Sequence, residues 1–185
     1  MSLFSTLRAV LLTAVTSVSL LAVPFVHAET KAALDMSSKE ALNQLIASVP
    51  AAKALSEKAI AVLVFPSITK AGFMVGGQFG DGVMWKNGKP VAYYNTSGAS
   101  FGFQAGAQTY GYAMFFMKES ALKSLDTADG FEVGVGPSVV VMDQGMGASH
   151  TTTTLQDDIY AFVFGQKGLM AGVGIQGNKI TKISK

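Results

Sequence analysis

The chain has 185 residues, of which 49% are hydrophobic and only 14% charged, with a formal net charge of +2, twenty glycines and no cysteine. That length accommodates one domain with a real core, and the near-neutral balance excludes a dedicated nucleic-acid binder, which carries a basic excess. The missing cysteine removes disulfides, thiol catalysis and thiolate metal sites.

Residues 1–28 read as a secretory signal peptide. Arg8 is followed by an uncharged run from Ala9 to Val26, Pro24 interrupts its end, and Val26-His27-Ala28 is a small-x-small cleavage site before Glu29. The competing reading is an uncleaved anchor, because the uncharged run is barely long enough to span a bilayer. Pro24 and the Ala28 site favour cleavage, and the absence of cysteine rules out a lipoprotein anchor. Cleavage after Ala28 leaves a single domain, 29–185, exported to the periplasm or cell envelope. Arg8 is the one arginine, so this domain lacks the planar fork that grips phosphate or carboxylate bidentately and must use lysine as a point charge.

From Thr30 to Lys58 the pattern is helical. Ser37 or Ser38 can cap a helix, with Glu40 completing a capping box, and Ala41, Leu42, Leu45, Ile46 and Val49 follow 3.6-residue spacing. Pro50 ends this helix and can begin the next, Ala51 to Lys58. The polar face (Lys39, Glu40, Asn43, Gln44) is nearly neutral, whereas membrane-surface helices are lysine-rich there, so packing against a sheet is expected.

The signals are then mostly β. Ile60 to Phe65 is an apolar run that Pro66 should end, and Ser67 to Lys70 form a polar corner. Phe73 to Phe79 follows, Asp81-Gly82 suggests a tight turn, and Asn87-Gly88 is a strong hairpin signal with Pro90 to Thr96 as return strand. Trp85 and Tyr93 should face each other across that hairpin. Gly98 to Met117 alternates with period two, Phe101, Phe103, Ala105 and Ala107 against Gly102, Gln104, Gly106 and Gln108. A short helix spans 118–125, an extended segment Phe131 to Val141, and a polar loop Asp143 to Thr154. Ile159 to Phe164, Leu169 to Ile175 and Lys179 to Ile183 complete the strands, with turns expected at Gly165–Gly168 and Gly177-Asn178. The fold class is α+β: about eight strands in a mostly antiparallel sheet forming a curved roll or barrel-like core, with N-terminal helices and one short helix. Antiparallel pairing is expected because no crossover segments separate the strands.

Catalytic apparatus is absent from the pattern. His150 with Ser149 and Asp157 invites a hydrolase triad, but nothing marks Ser149 as an activated nucleophile, and a loop histidine is the simpler reading. One histidine outside the signal cannot build a zinc site, and Asp157-Asp158 lack regular calcium-ligand spacing. Gly134-Val135-Gly136-Pro137 has no Walker lysine after it. Met114 to Met117 either lines a lipid pocket or fills the core, with core the more economical reading.

The stretch AIAVLVFPSITKAGFMVGGQFGDGVM from Ala59 to Met84, followed in order by ASFGFQAGAQ, MFFMKESALKSL, GVGPS and IYAFVFGQKGLMAGVGIQGN, resembles the SYLF domain, called an actin-binding domain in its fungal members. The similarity runs from about Ala41 to Ile180. It implies a non-enzymatic lipid- or phospholipid-binding module without cofactor or metal. Eukaryotic members bind phosphoinositides, and fungal ones actin filaments. The chain is most similar to exported, stand-alone bacterial members, which would not meet actin, so the implied partner is a lipid or membrane surface. Lys70 would then meet a head group, with Phe73, Met114 and Phe116 as apolar contacts. Two other functions are compatible with the pattern: a small outer-membrane β-barrel, and a structural or protein-interaction module of the envelope whose partner is unspecified.

Overall fold

The computed structural model of the chain describes residues 29–126, 131–132, 138–143, 157–171 and 174–185. The expected signal peptide, Gly134 to Pro137 and the Ser149-His150 pair lie outside the described residues. Helix α1 (Lys31–Ser48) starts earlier than the capping box suggests, because the Thr30 hydroxyl accepts the Ala33 N–H at 3.3 Å. Ser38 is therefore inside the helix, fully buried, where its hydroxyl accepts the Trp85 indole N–H at 3.2 Å. The Tyr93 hydroxyl donates to Asp35 at 2.8 Å, so two side-chain bonds fix α1 to the sheet beside Leu34 and Leu45. Helix α2 (Pro50–Ser56) opens on its proline, as expected, and buries Ala52 and Leu55. No helix among the described residues is long and apolar enough to cross a membrane.

Six strands form the sheet among the described residues: β1 (Ala61–Lys86), β2 (Lys89–Phe116), β3 (Phe131–Glu132), β4 (Val139–Asp143), β5 (Ile159–Ala171) and β6 (Gly174–Ile183), with helix α3 (Glu119–Ser124) after β2. The expected eight are fewer because glycine and proline signals that suggested turns mark bulges instead. Pro66 does not end its strand. Phe65 pairs with Tyr112 and Ile68 with Tyr110, so Pro66 and Ser67 oppose Gly111 alone, a bulge that absorbs the missing proline N–H. Asp81 and Gly82 are ladder residues opposite Asn95 and Tyr94. Gly165 (φ +61°) lies in a second bulge, between the pairs Gly111–Phe164 and Thr109–Lys167, and Gly177 pairs with Ala99. Asn87 and Gly88, both at positive φ, do make the one tight turn of the β1–β2 hairpin. A register shift after Met84 puts Val83 opposite Tyr93 and Trp85 opposite Pro90, so the expected Trp85–Tyr93 pair is offset, although both rings enter the same core.

β2 pairs with β1 along its whole length, with β6 through Tyr93–Gly102, and with β5 through Ala105–Phe116. β5 and β6 thus run in line beside β2, and the three long tracks all break at one level, near 72–76, 102–105 and 171–174. There the ribbon folds over itself into a curled half-barrel. Met74 takes the left-handed φ of 60°, which is unusual for a side chain of its size and marks the sharpness of the crease. The two layers meet closely along β1. A Cβ on Gly80 would fall 2.8 Å from the Ser67 carbonyl, and one on Gly82 would fall 2.6 Å from the Phe65 ring. β4 pairs with β5 in parallel, Val139 with Ile159 through Asp143 with Val163, an exception at this edge of a sheet that is mostly antiparallel, as expected. The interval 144–156 provides the length that a parallel return requires.

Two cores result from strict strand alternation. One face packs Val62, Val64, Val83, Ala113, Phe115 and Phe162 against α1 and α2, with Phe115 and Phe162 edge to face at 5.5 Å. The other face is the interior of the curl. Leu63, Phe65, Met84, Met114, Phe116 and Ala161 fill its floor, which α3 closes with Ala121 and Leu125. A closed outer-membrane barrel would give its outward face to lipid. Here α1 and α2 occupy that face, and the sheet is not closed among the described residues.

Candidate ligand cavity

Above the apolar floor the interior of the curl turns polar. The same inward phase that places Phe65 and Ile68 on β1 places Lys70 next, and on β2 it passes from Phe116 and Met114 to Tyr112, Tyr110 and Gln108. These residues and Thr96, Val141, Val163, Gln166, Asn178 and Ile180 enclose a cavity of about 350 Å³ between the two layers. Ile68 belongs both to this lining and to the close contact with Gly80, so the cavity opens directly beside that contact.

Lys70 is its single lysine. The side chain is only 4% exposed, and among the described residues no carboxylate or hydrogen-bond acceptor engages its ammonium. Burial without a partner holds its pKa below the ordinary lysine value. The rest of the rim is neutral and rich in donors. The Tyr110 hydroxyl donates to Gln78 Oε1 at 3.0 Å, and the Gln78 amide donates in turn to Asn178 Oδ1, a chain that ties the two layers together across the cavity mouth. Burial raises the pKa values of Tyr110 and Tyr112, with mutual repulsion adding to that of Tyr112, so both phenols stay protonated. Thr96 and Gln78 are also buried. Asp143 stands in register with the cavity residue Val163. Among the described residues no three metal-ligating side chains cluster. The arrangement can hold one anionic group by charge and by amide and hydroxyl hydrogen bonds.

The residues singled out from the sequence fall in three places. Lys70 lines the cavity. Met114 and Phe116 belong to the fully buried floor beneath it, and neither reaches the lining. Phe73 is 75% exposed on the outer face at the crease. Gln108, Tyr110, Tyr112, Gln166 and Asn178 escaped the sequence reading. The period-two signal in Gly98–Met117 was visible, but its alanine phase points outward, with Ala105 and Ala107 exposed, and its polar phase points in.

Residues 97–185 match the family Ysc84, described as Las17-binding protein actin regulator. That match is consistent with a member of the SYLF domain family, the family the sequence resembles. The SYLF match begins inside β2 and takes in β5 and β6, hence most of the cavity wall from Gln108 to Ile180, while Lys70 on β1 precedes it. No curated protein matches the sequence.

Proposed function

We propose that this chain is a non-enzymatic lipid-binding protein of the bacterial envelope, exported by its N-terminal signal, and that the cavity takes the anionic group of an amphiphile. The observation that carries this reading is Lys70, a buried ammonium without a partner among the described residues, in a cavity whose described lining includes no carboxylate. A charge left unpaired at such a site is destabilising unless a ligand supplies the opposite one. The SYLF match supports lipid or actin-related binding in general. Its description names an actin regulator, a protein partner that an exported chain would not meet, and this favours lipid.

The test is mass spectrometry of lipid extracted from protein purified without detergent, alongside binding of single-chain anionic lipid to the delipidated protein. The wild type should retain an anionic lipid, and Lys70→Gln should weaken binding on the order of tenfold or more, as expected for loss of a charge-assisted contact. Equal affinity in Lys70→Gln would return the lysine to a structural role and remove the basis of this reading.

A further inference from the structure

We infer that the folded-over end of the sheet is a second contact surface, distinct from the cavity, and that it docks on an anionic lipid bilayer. The inference extends the lipid-binding reading, from which it takes the class of partner. At the crease Phe73, Met74, Val75 and Leu169 all project into solvent, with Leu169 89% exposed, and Phe79 continues the patch along β1. Leu169, Ala107 and Ala71 are aligned across three strands, and Phe73 with Ala105 forms the next row on the same face. α1 and α2 pack elsewhere, against the Val62–Val64 and Val83–Trp85 rows. Isolated exposed apolar residues are ordinary, but a contiguous group of large ones is not.

Shape and charge identify the occupant. The patch wraps both outward faces of a crease, because Phe73 and Leu169 belong to one layer and Val75 and Phe79 to the other. A rigid protein partner would need a matching cleft, whereas a bilayer yields around a convex wedge. The segments forming this end, 66–80, 96–110 and 163–180, contain Lys70, Lys167 and Lys179 and not one aspartate or glutamate; the acids in register with them, Glu132 opposite Lys179 and Asp143 opposite Val163, stand at their ends farthest from the crease. Lys70 lines the cavity and Lys179 lies farther from the crease, where β3 pairs with β6, which leaves Lys167, exposed one row behind Leu169, as the cation next to the patch. An apolar wedge flanked by lysine and free of acids suits a negatively charged lipid surface.

The experiment pellets the full domain with vesicles of phosphatidylcholine alone or mixed with phosphatidylglycerol. The mixed vesicles should carry the protein down. Phe73→Ser combined with Leu169→Ser should lower partitioning about tenfold or more, and Lys167→Gln about fivefold. A reporter guards against misfolded variants: tryptophan introduced as Phe73→Trp should be quenched by brominated lipid, whereas tryptophan introduced as Val91→Trp, at the opposite end beside the hairpin turn, should not. Unchanged pelleting of the double variant, equal quenching at both positions, or a patch-dependent dimer that ignores vesicles would each overturn the inference. The two readings separate cleanly. A tip variant that stops pelleting yet still carries lipid supports the docking surface, as does a wild type that pellets but purifies empty, which at the same time counts against the cavity ligand. A wild type that carries lipid but never pellets refutes the docking surface alone.

Discussion

At the scale of single residues Lys70 has the most to lose from where it is. Its folded-state pKa is depressed by burial, so between that value and the ordinary 10.5 the unfolded chain holds a proton that the folded chain has shed. Stability of the ligand-free protein therefore rises with pH across that window, and below it the burial penalty is present in full. The groups around it do not reverse the sign: burial pushes Tyr110 and Tyr112 upward, and both stay neutral. Lys70→Met should accordingly stabilise the empty protein by about 1–3 kcal/mol near neutral pH, and the gain should shrink as pH approaches about 10. Urea melts of both forms at several pH values check this, and a destabilised Lys70→Met would show that the ammonium has a partner. Anion binding has the opposite dependence, with affinity falling as pH rises through the same window. The sequence exposed Lys70 because a lone cation between two apolar segments stands out. It could not expose Gln108 or Asn178, which are unremarkable polar residues until the pairing of distant strands brings them to the same rim.

At the scale of elements, local signals were right in kind and wrong in use. Positive-φ glycine serves a turn and a bulge equally well, so Gly165 suggested a strand end where the structure continues the strand. Asn87-Gly88 was unambiguous because two consecutive positive-φ residues fit the hairpin turn and little else. Helix positions were legible from Pro50 and the 3.6-residue spacing. The true start of α1 was not, since Thr30 and Ser37 are equally good caps in isolation and the docking of Ser38 under Trp85 decides between them. The crease was least visible, because it depends on glycines that meet residues distant in the chain. Gly80→Ala tests it. The added methyl would meet the Ser67 carbonyl at 2.8 Å, and a backbone atom cannot swing aside as a side chain can. We expect a loss of about 1–3 kcal/mol in denaturant melts, whereas Gly77→Ala, with nothing nearer than 3.9 Å, should stay within about 0.5–1 kcal/mol of the wild type, the usual cost of altering one ladder residue.

At the scale of the molecule, charge is sorted by position. The rows at the tip carry Lys167 and no acid, while the ion pairs among the described residues lie away from it: Lys86–Glu119 at 3.4 Å, Lys118–Asp158 at 2.6 Å, Lys182–Asp126 at 2.7 Å and Lys185–Asp81 at 2.8 Å. Such a separation orients the molecule toward an anionic surface before contact is made. Association with anionic vesicles should therefore weaken as salt is raised and the Debye length falls to about 3 Å near 1 M. It should not vanish, since the apolar patch is indifferent to screening. Complete release at high salt, followed by sedimentation, would assign the whole interaction to lysine and none to the wedge. The crease also divides the chain into positions of two kinds. Gly80, Gly82 and Phe65 hold the layers together and face inward, whereas Phe73, Leu169 and Lys167 touch no part of the core. Substitution at the second set should leave folding intact, so surface preference and fold can vary independently: a chain that keeps this crease is free to change at its tip.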